Sequence, residues 1–128
     1  MVETQGDFQA DARLVHIWGP VMVLPFTTAD ETLRTTEALS RDASTADIRA
    51  VVIDLRDEMI DEAFDAAAIE RVLETVESWG AEPILTGINP MAADIVTNLE
   101  SQHLVVRKDL PEAIAAAFLI AQAQRYAA

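Results

Sequence analysis

The chain has no cysteine, a single lysine (Lys108), only four glycines and an aromatic content of 5%. Without cysteine there is no disulfide framework, no thiol nucleophile and no thiolate metal site, which fits a reducing compartment. With so few rings the core must be aliphatic and alanine-rich, and the 51% hydrophobic fraction of the 128 residues is enough to build one compact domain. Positive charge is scarce: 9 Lys and Arg stand against 22 Asp and Glu, a net charge of −13. Phosphate backbones and anionic lipid carry the same sign, so composition argues against direct nucleic-acid binding. The acidity fits a salt-adapted host and an ordinary solvated surface equally well. Residues 1–12 read as a polar, acidic, flexible leader rather than a basic segment followed by an apolar stretch, and no apolar run is long enough to span a bilayer. The expectation is a cytoplasmic protein with no direct membrane insertion.

What is present falls into alternating short apolar runs and amphipathic stretches over residues 13–128, read as a single domain. Arg13 to Trp18 and Val21 to Phe26 are two apolar runs parted by Gly19-Pro20, the pattern of a β-hairpin. Thr28 and Glu31 have capping-box spacing and predict a helix from Ala29 to about Ala43, partly exposed because Leu33 and Leu39 are its main apolar positions. Ala50 to Leu55 is a near-continuous aliphatic run, as in a strand buried on both faces. Phe64, Ala68, Ile69, Val72, Leu73, Val76 and Trp79 then form one helical stripe that Gly80 stops. Pro83 to Thr86 reads as a strand. Asn89 and Pro90 suit the start of a helix carrying Met91, Ile95, Val96 and Leu99 inward. A last strand over 104–106 leads to a closing helix, capped by Asp109 with Glu112, whose predicted buried face is Leu110, Ile114, Ala117, Phe118 and Ala121. The order β-β-α-β-α-β-α-β-α predicts an α/β fold: a mixed β-sheet with an N-terminal hairpin, later strands parallel, packed against about four α-helices.

Catalytic chemistry finds no support in this pattern. His16 and His103 are far apart and lack a matched carboxylate, and there is neither a glycine-rich phosphate loop nor a Ser/His/Asp constellation. The acids Asp54, Asp57, Glu58, Asp61 and Glu62 have the hard oxygens a magnesium site needs. A response-regulator receiver, however, places an acid pair after its first strand, where this chain has Pro25-Phe26-Thr27. No catalytic residue, metal or cofactor is therefore assigned. Trp18 and Trp79 are expected to pack at the ends of the core; exposed beside the first strand pair, either would be an interface anchor.

Several pieces in order carry a resemblance: His16-Ile17-Trp18 leading into Val21 to Pro25, Val52-Ile53-Asp54-Leu55, Met59-Ile60-Asp61, Gly80-Ala81, and Ile84-Leu85-Thr86-Gly87-Ile88-Asn89-Pro90. Together, over Leu14 to Ala117, the chain resembles the STAS domains of anti-sigma-factor antagonists, especially those of bacterial stressosomes. The resemblance implies a non-enzymatic regulator that works by protein–protein contact. Its partners would be a serine/threonine switch kinase or anti-sigma factor, or other STAS proteins, with a homo-oligomer also open. It further implies a switch hydroxyl beside the Asp of a segment like Met59-Ile60-Asp61. Here no serine or threonine occurs from Asp57 to Glu74, and the matching position is Glu62 or Ala63. Thr86 matches a second phosphoacceptor of some stressosome scaffolds, and its place at a strand end predicts that a kinase can reach it. The partner surface implied is Asp57, Glu58, Asp61, Glu62, Phe64 and Asp65 together with Gly87 and Asn89. Two other roles compatible with the resemblance are a regulatory subunit of a membrane transport assembly and a small-molecule-sensing module.

Overall fold

The computed structural model of the chain describes residues 15–42, 47–56, 64–90 and 105–127. Strand β1 (His16–Trp18) turns through Gly19-Pro20 into β2 (Val21–Pro25), antiparallel, with Trp18 opposite Val21. Gly19 has φ +60, which suits the first loop position of a type II′ hairpin turn, where a side chain would be strained. Thr28 then caps α1 (Ala29–Ser40): its hydroxyl accepts from the Glu31 N–H at 3.2 Å, satisfying one of the free donors of the first turn. Next come β3 (Ala50–Asp54), α2 (Phe64–Ser78), β4 (Glu82–Thr86), β5 (Val105–Val106) and α3 (Leu110–Ala127). The last helix starts on Asp109, whose carboxylate accepts from the Glu112 N–H at 3.0 Å.

The five strands lie side by side in chain order, and every pair after the hairpin is parallel. Because the sheet grows in one direction, right-handed crossovers put α1 and α2 on the same face. There Met22, Leu24, Val51, Ile53 and Leu85 meet Ala68, Ile69, Val72, Leu73 and Val76. The alternate residues Val21, Val23, Ala50, Val52 and Ile84 face the other way and meet Ala113, Ala116, Ala117 and Ala121 of α3. Strands β2 and β3 are thus buried on both faces, which explains their unbroken aliphatic runs. Helix α2 ends where Gly80 takes φ +81 and its N–H bonds the Glu77 carbonyl at 2.9 Å.

Helix α1 is partly exposed as expected, with a threonine face beneath it, and the expectations for Phe118 and Trp18 need correction. The buried face of α1 is built from Ala29, Thr32, Thr35 and Thr36, while Leu33 and Leu39 are only partly buried. Threonine is accepted there because the polar groups are satisfied locally: the Thr36 hydroxyl donates to the Thr32 carbonyl at 2.6 Å, and the Thr32 hydroxyl accepts from the Thr27 N–H at 3.1 Å. Phe118 does not enter the core; it is 42% exposed, and α3 rests on the sheet through alanines. Trp18 is likewise 47% exposed, because β1 lies at the margin of the sheet, whereas Trp79 packs against the core and its Nε1 donates to Ser40 Oγ at 2.9 Å. The leader over 1–12 and the helix expected after Pro90 fall outside the described residues.

Ile53→Ala should lower the unfolding free energy by roughly 2–5 kcal/mol, as for a buried aliphatic side chain removed from a close-packed core. Thr28→Ala should cost only about 1 kcal/mol, the usual value of an N-cap. Urea titration of both variants measures the difference.

Candidate functional site

Of the residues singled out by the sequence, Thr86, Gly87 and Asn89 lie at the C-terminal edge of the parallel strands. Asp54 ends β3 and Thr86 ends β4, directly opposite each other in register. Backbone hydrogen bonds tie this edge together beyond the strands. Leu55 N–H donates to the Thr86 carbonyl at 2.9 Å, Phe26 N–H to the Asp54 carbonyl at 2.8 Å, and Arg107 N–H to the Leu85 carbonyl at 2.9 Å.

From this edge the chain leaves through a tight corner. Arg56 has φ +60, a left-handed conformation uncommon for a residue with a side chain. The corner is held by Asp54, whose Oδ1 accepts from the Arg56 N–H at 2.9 Å, a carboxylate closing a turn on its own backbone two residues on. Gly87 packs directly on this turn with φ +71. A Cβ there would lie 2.7 Å from Asp54 Oδ1 and 2.8 Å from Arg56 N, so only glycine allows the approach. The loop after β4 is therefore seated on the residue from which the 57–63 segment departs. Gly87 and Asn89 are half-buried at this edge, and Pro90 is exposed.

Thr86 is not where an exposed strand end would leave it. The residue is 0% exposed, and its Oγ1 is buried with no hydrogen-bond partner among the described residues. The register explains this: Thr86 is the last residue inside the sheet, paired with Asp54, and it shares the α3 side with Ile84. Asp57, Glu58, Asp61, Glu62 and Ala63 lie outside the described residues, and Phe64 and Asp65 begin the α2 backbone. Asp54 and Arg56 hold the corner together yet were not among the expected partner-surface residues. The available signal was an Asp closing an aliphatic strand just before a glycine-bearing loop must pass. Among the described residues no group of three or more His, Cys, Asp or Glu is placed to hold a metal ion, and no helix is long and apolar enough to cross a membrane. At the opposite margin, His16 and Trp18 stack with ring centroids 5.7 Å apart and planes 9° from parallel. This exposed tryptophan beside the first strand pair meets the condition for an interface anchor.

No family model matches the sequence, and no curated relative does. Solved structures do match. A serine-to-glutamate variant of RsbS from Moorella thermoacetica superposes with TM-score 0.68 at 16% identity, covering 84% of this chain and 97% of that one. A chain from a structure described as the molecular architecture of the stressosome, a signal integration and transduction hub, gives TM-score 0.66 at 17% identity, again covering 84% and 97%. At such identities the likeness establishes architecture: this chain has the STAS fold.

Gly87→Ala should destabilise more than Gly80→Ala. Both force a side chain into positive φ, a cost of roughly 1–3 kcal/mol, but only Gly87 adds a collision, since nothing lies within 4 Å of a Cβ at Gly80. Thr86→Val should leave stability unchanged or raise it, because it removes a buried hydroxyl that makes no hydrogen bond among the described residues. Thermal unfolding of the three variants beside the parent protein tests both statements.

Proposed function

We propose that this chain is a non-enzymatic STAS-type regulator that acts by docking other polypeptides, in a sigma-factor partner-switching or stressosome-like pathway. The observation that carries the reading is the seating of Gly87 on Asp54 and Arg56. It couples the loop after β4 to the root of the acidic 57–63 segment, so a partner touching one is sensed by the other. The likeness in fold to RsbS and to a stressosome chain supports the same assignment. Its partners on this reading are a serine/threonine switch kinase or anti-sigma factor, or other STAS proteins.

Glu62 or Ala63 takes the place of the switch hydroxyl. Glu62 supplies one permanent negative charge two positions before Phe64, the first described residue of α2, and a helix N-terminus favours an anion. A phosphate would bring about two negative charges and additional acceptor oxygens, so the mimicry is incomplete and the docking state is held rather than switched. Thr86 is the remaining phosphoacceptor in this scheme. Its burial makes modification conditional on the corner opening.

Glu62→Ala should change the affinity for the cognate kinase or STAS partner by about tenfold, close to 1.4 kcal/mol, and alter binding more than fold stability. Calorimetric titration against a switch kinase or STAS partner measures this, and an unchanged affinity rejects the charge-based docking reading. Phosphate mapping after kinase treatment should find Thr86 labelled more in Gly87→Ala than in the parent chain; equal labelling would mean that the corner does not control access.

A further inference from the structure

Acids outnumber bases in this chain by 22 to 9, yet bases gather at one place. Arg56 follows β3 at the strand ends, and Arg107 with Lys108 follows β5. Because β4 lies between β3 and β5, these positions stand two strand spacings apart, about 10 Å, on either side of the loop that starts at Gly87. Their backbones are fixed. Asp54 holds Arg56 in its left-handed conformation, and the Arg107 N–H is bound to the Leu85 carbonyl at 2.9 Å. All three residues are exposed, and among the described residues none of their side chains meets a carboxylate. The Arg107 guanidinium donates to the Val106 carbonyl at 2.9 Å, and the heads of Arg56 and Lys108 have no polar partner among the described residues. The two acids nearby are already engaged. Asp54 accepts from the Arg56 N–H, and Asp109 accepts from the Glu112 N–H at the start of α3, where the helix end offsets its charge.

We propose that this basic rim docks an acidic segment of a partner protein, laid across the loop after β4 with one carboxylate on Arg56 and another on Arg107 and Lys108. An extended chain rises about 3.3 Å per residue, so acids three residues apart match the separation of the two basic positions. Guanidinium groups suit carboxylates because their N–H donors come in planar pairs. Charge also selects a short polypeptide over a nucleic acid. A few aspartates or glutamates fit within the rim, whereas a phosphate backbone would run on over a surface whose net charge is −13 and be repelled there. Exposed ion pairs are individually weak and screened by salt, so the contact is reversible and serves to orient a larger docking. The proposal deepens the docking reading above, on which it rests, by giving the partner a charge pattern at this edge.

Fluorescence anisotropy of a labelled hexaglutamate peptide titrated with the full-length protein tests the proposal. Binding is expected at about 0.1 M salt, where a Debye length near 10 Å screens the distant acids but not the rim, and should be lost at about 1 M. Arg107→Glu with Lys108→Glu should weaken it about tenfold or more, and the milder Arg107→Gln with Lys108→Gln roughly threefold. Arg56→Asn, which tolerates the left-handed backbone, should weaken it as well. Arg34→Glu with Arg71→Glu, at exposed positions of α1 and α2, makes the same change in net charge and should leave the affinity within about twofold. Circular dichroism matching the parent certifies each variant. No binding up to millimolar protein overturns the proposal, as does an equal loss in the two charge-reversed pairs, which would report net charge rather than the rim. An oligothymidylate of equal charge bound as tightly through the same residues overturns the assignment to a polypeptide. No kinase or STAS partner enters this measurement, so its failure is distinguishable from failure of the Glu62 affinity test.

Discussion

Val51 and Ile53 press on the layer of α1 and α2, while their neighbours Ala50 and Val52 press on α3, so β3 has no solvent face. Strand β2 is held in the same way on one side of it, and the buried middle of β4 on the other. A parallel sheet enclosed like this can expose polar groups only at its ends, where the strands stop and the chain must turn. The candidate corner therefore lies at the strand ends by necessity. The two layers are also unlike. One is filled by isoleucine, leucine and valine from α2, and the other by alanines from α3 that bring the helix backbone close to the sheet.

At the strand ends a single carboxylate organises the exit. Asp54 holds Arg56 in its left-handed conformation and at the same time forms the surface on which Gly87 rests. Two loops that are far apart in sequence thereby share one support, and neither can shift without disturbing the other. Thr86 sits immediately beneath, buried and without a hydrogen-bond partner among the described residues, which leaves that spot less firmly satisfied than the surrounding backbone ladder. A regulatory reading of this edge needs such a combination: rigid positioning by the sheet, and one locally weak point.

Much of the architecture was legible in the residues. The hairpin followed from two apolar runs around Gly19-Pro20, and the caps from Thr28 and Asp109 with a glutamate three positions on. The central strand followed from an aliphatic run, and α2 from its stripe. What escaped depended on tertiary contacts that periodicity does not encode. The threonine face of α1 reads as polar until one sees the Thr32 and Thr36 hydroxyls bonded to nearby backbone. In α3 a nearly uniform apolar composition gives no sharp phase, so Phe118 falls on the same expected stripe as Ile114, Ala117 and Ala121 although the small residues are the ones that fit against the sheet. Of the candidate site, Thr86, Gly87 and Asn89 were placed at the correct edge, but the burial of Thr86 depends on a register that pairs it with Asp54. The closure of the corner by Asp54 and Arg56 is a through-space relation between β3 and β4, visible only once the two strands are adjacent.

Among the described residues the two outermost strands are very short, three residues in β1 and two in β5. An unpaired ladder of that length offers too few free backbone donors and acceptors to nucleate the addition of a foreign strand. Fibrillar, self-templating growth through the sheet is thereby discouraged. A protein of this design can be held at high local concentration without runaway sheet extension.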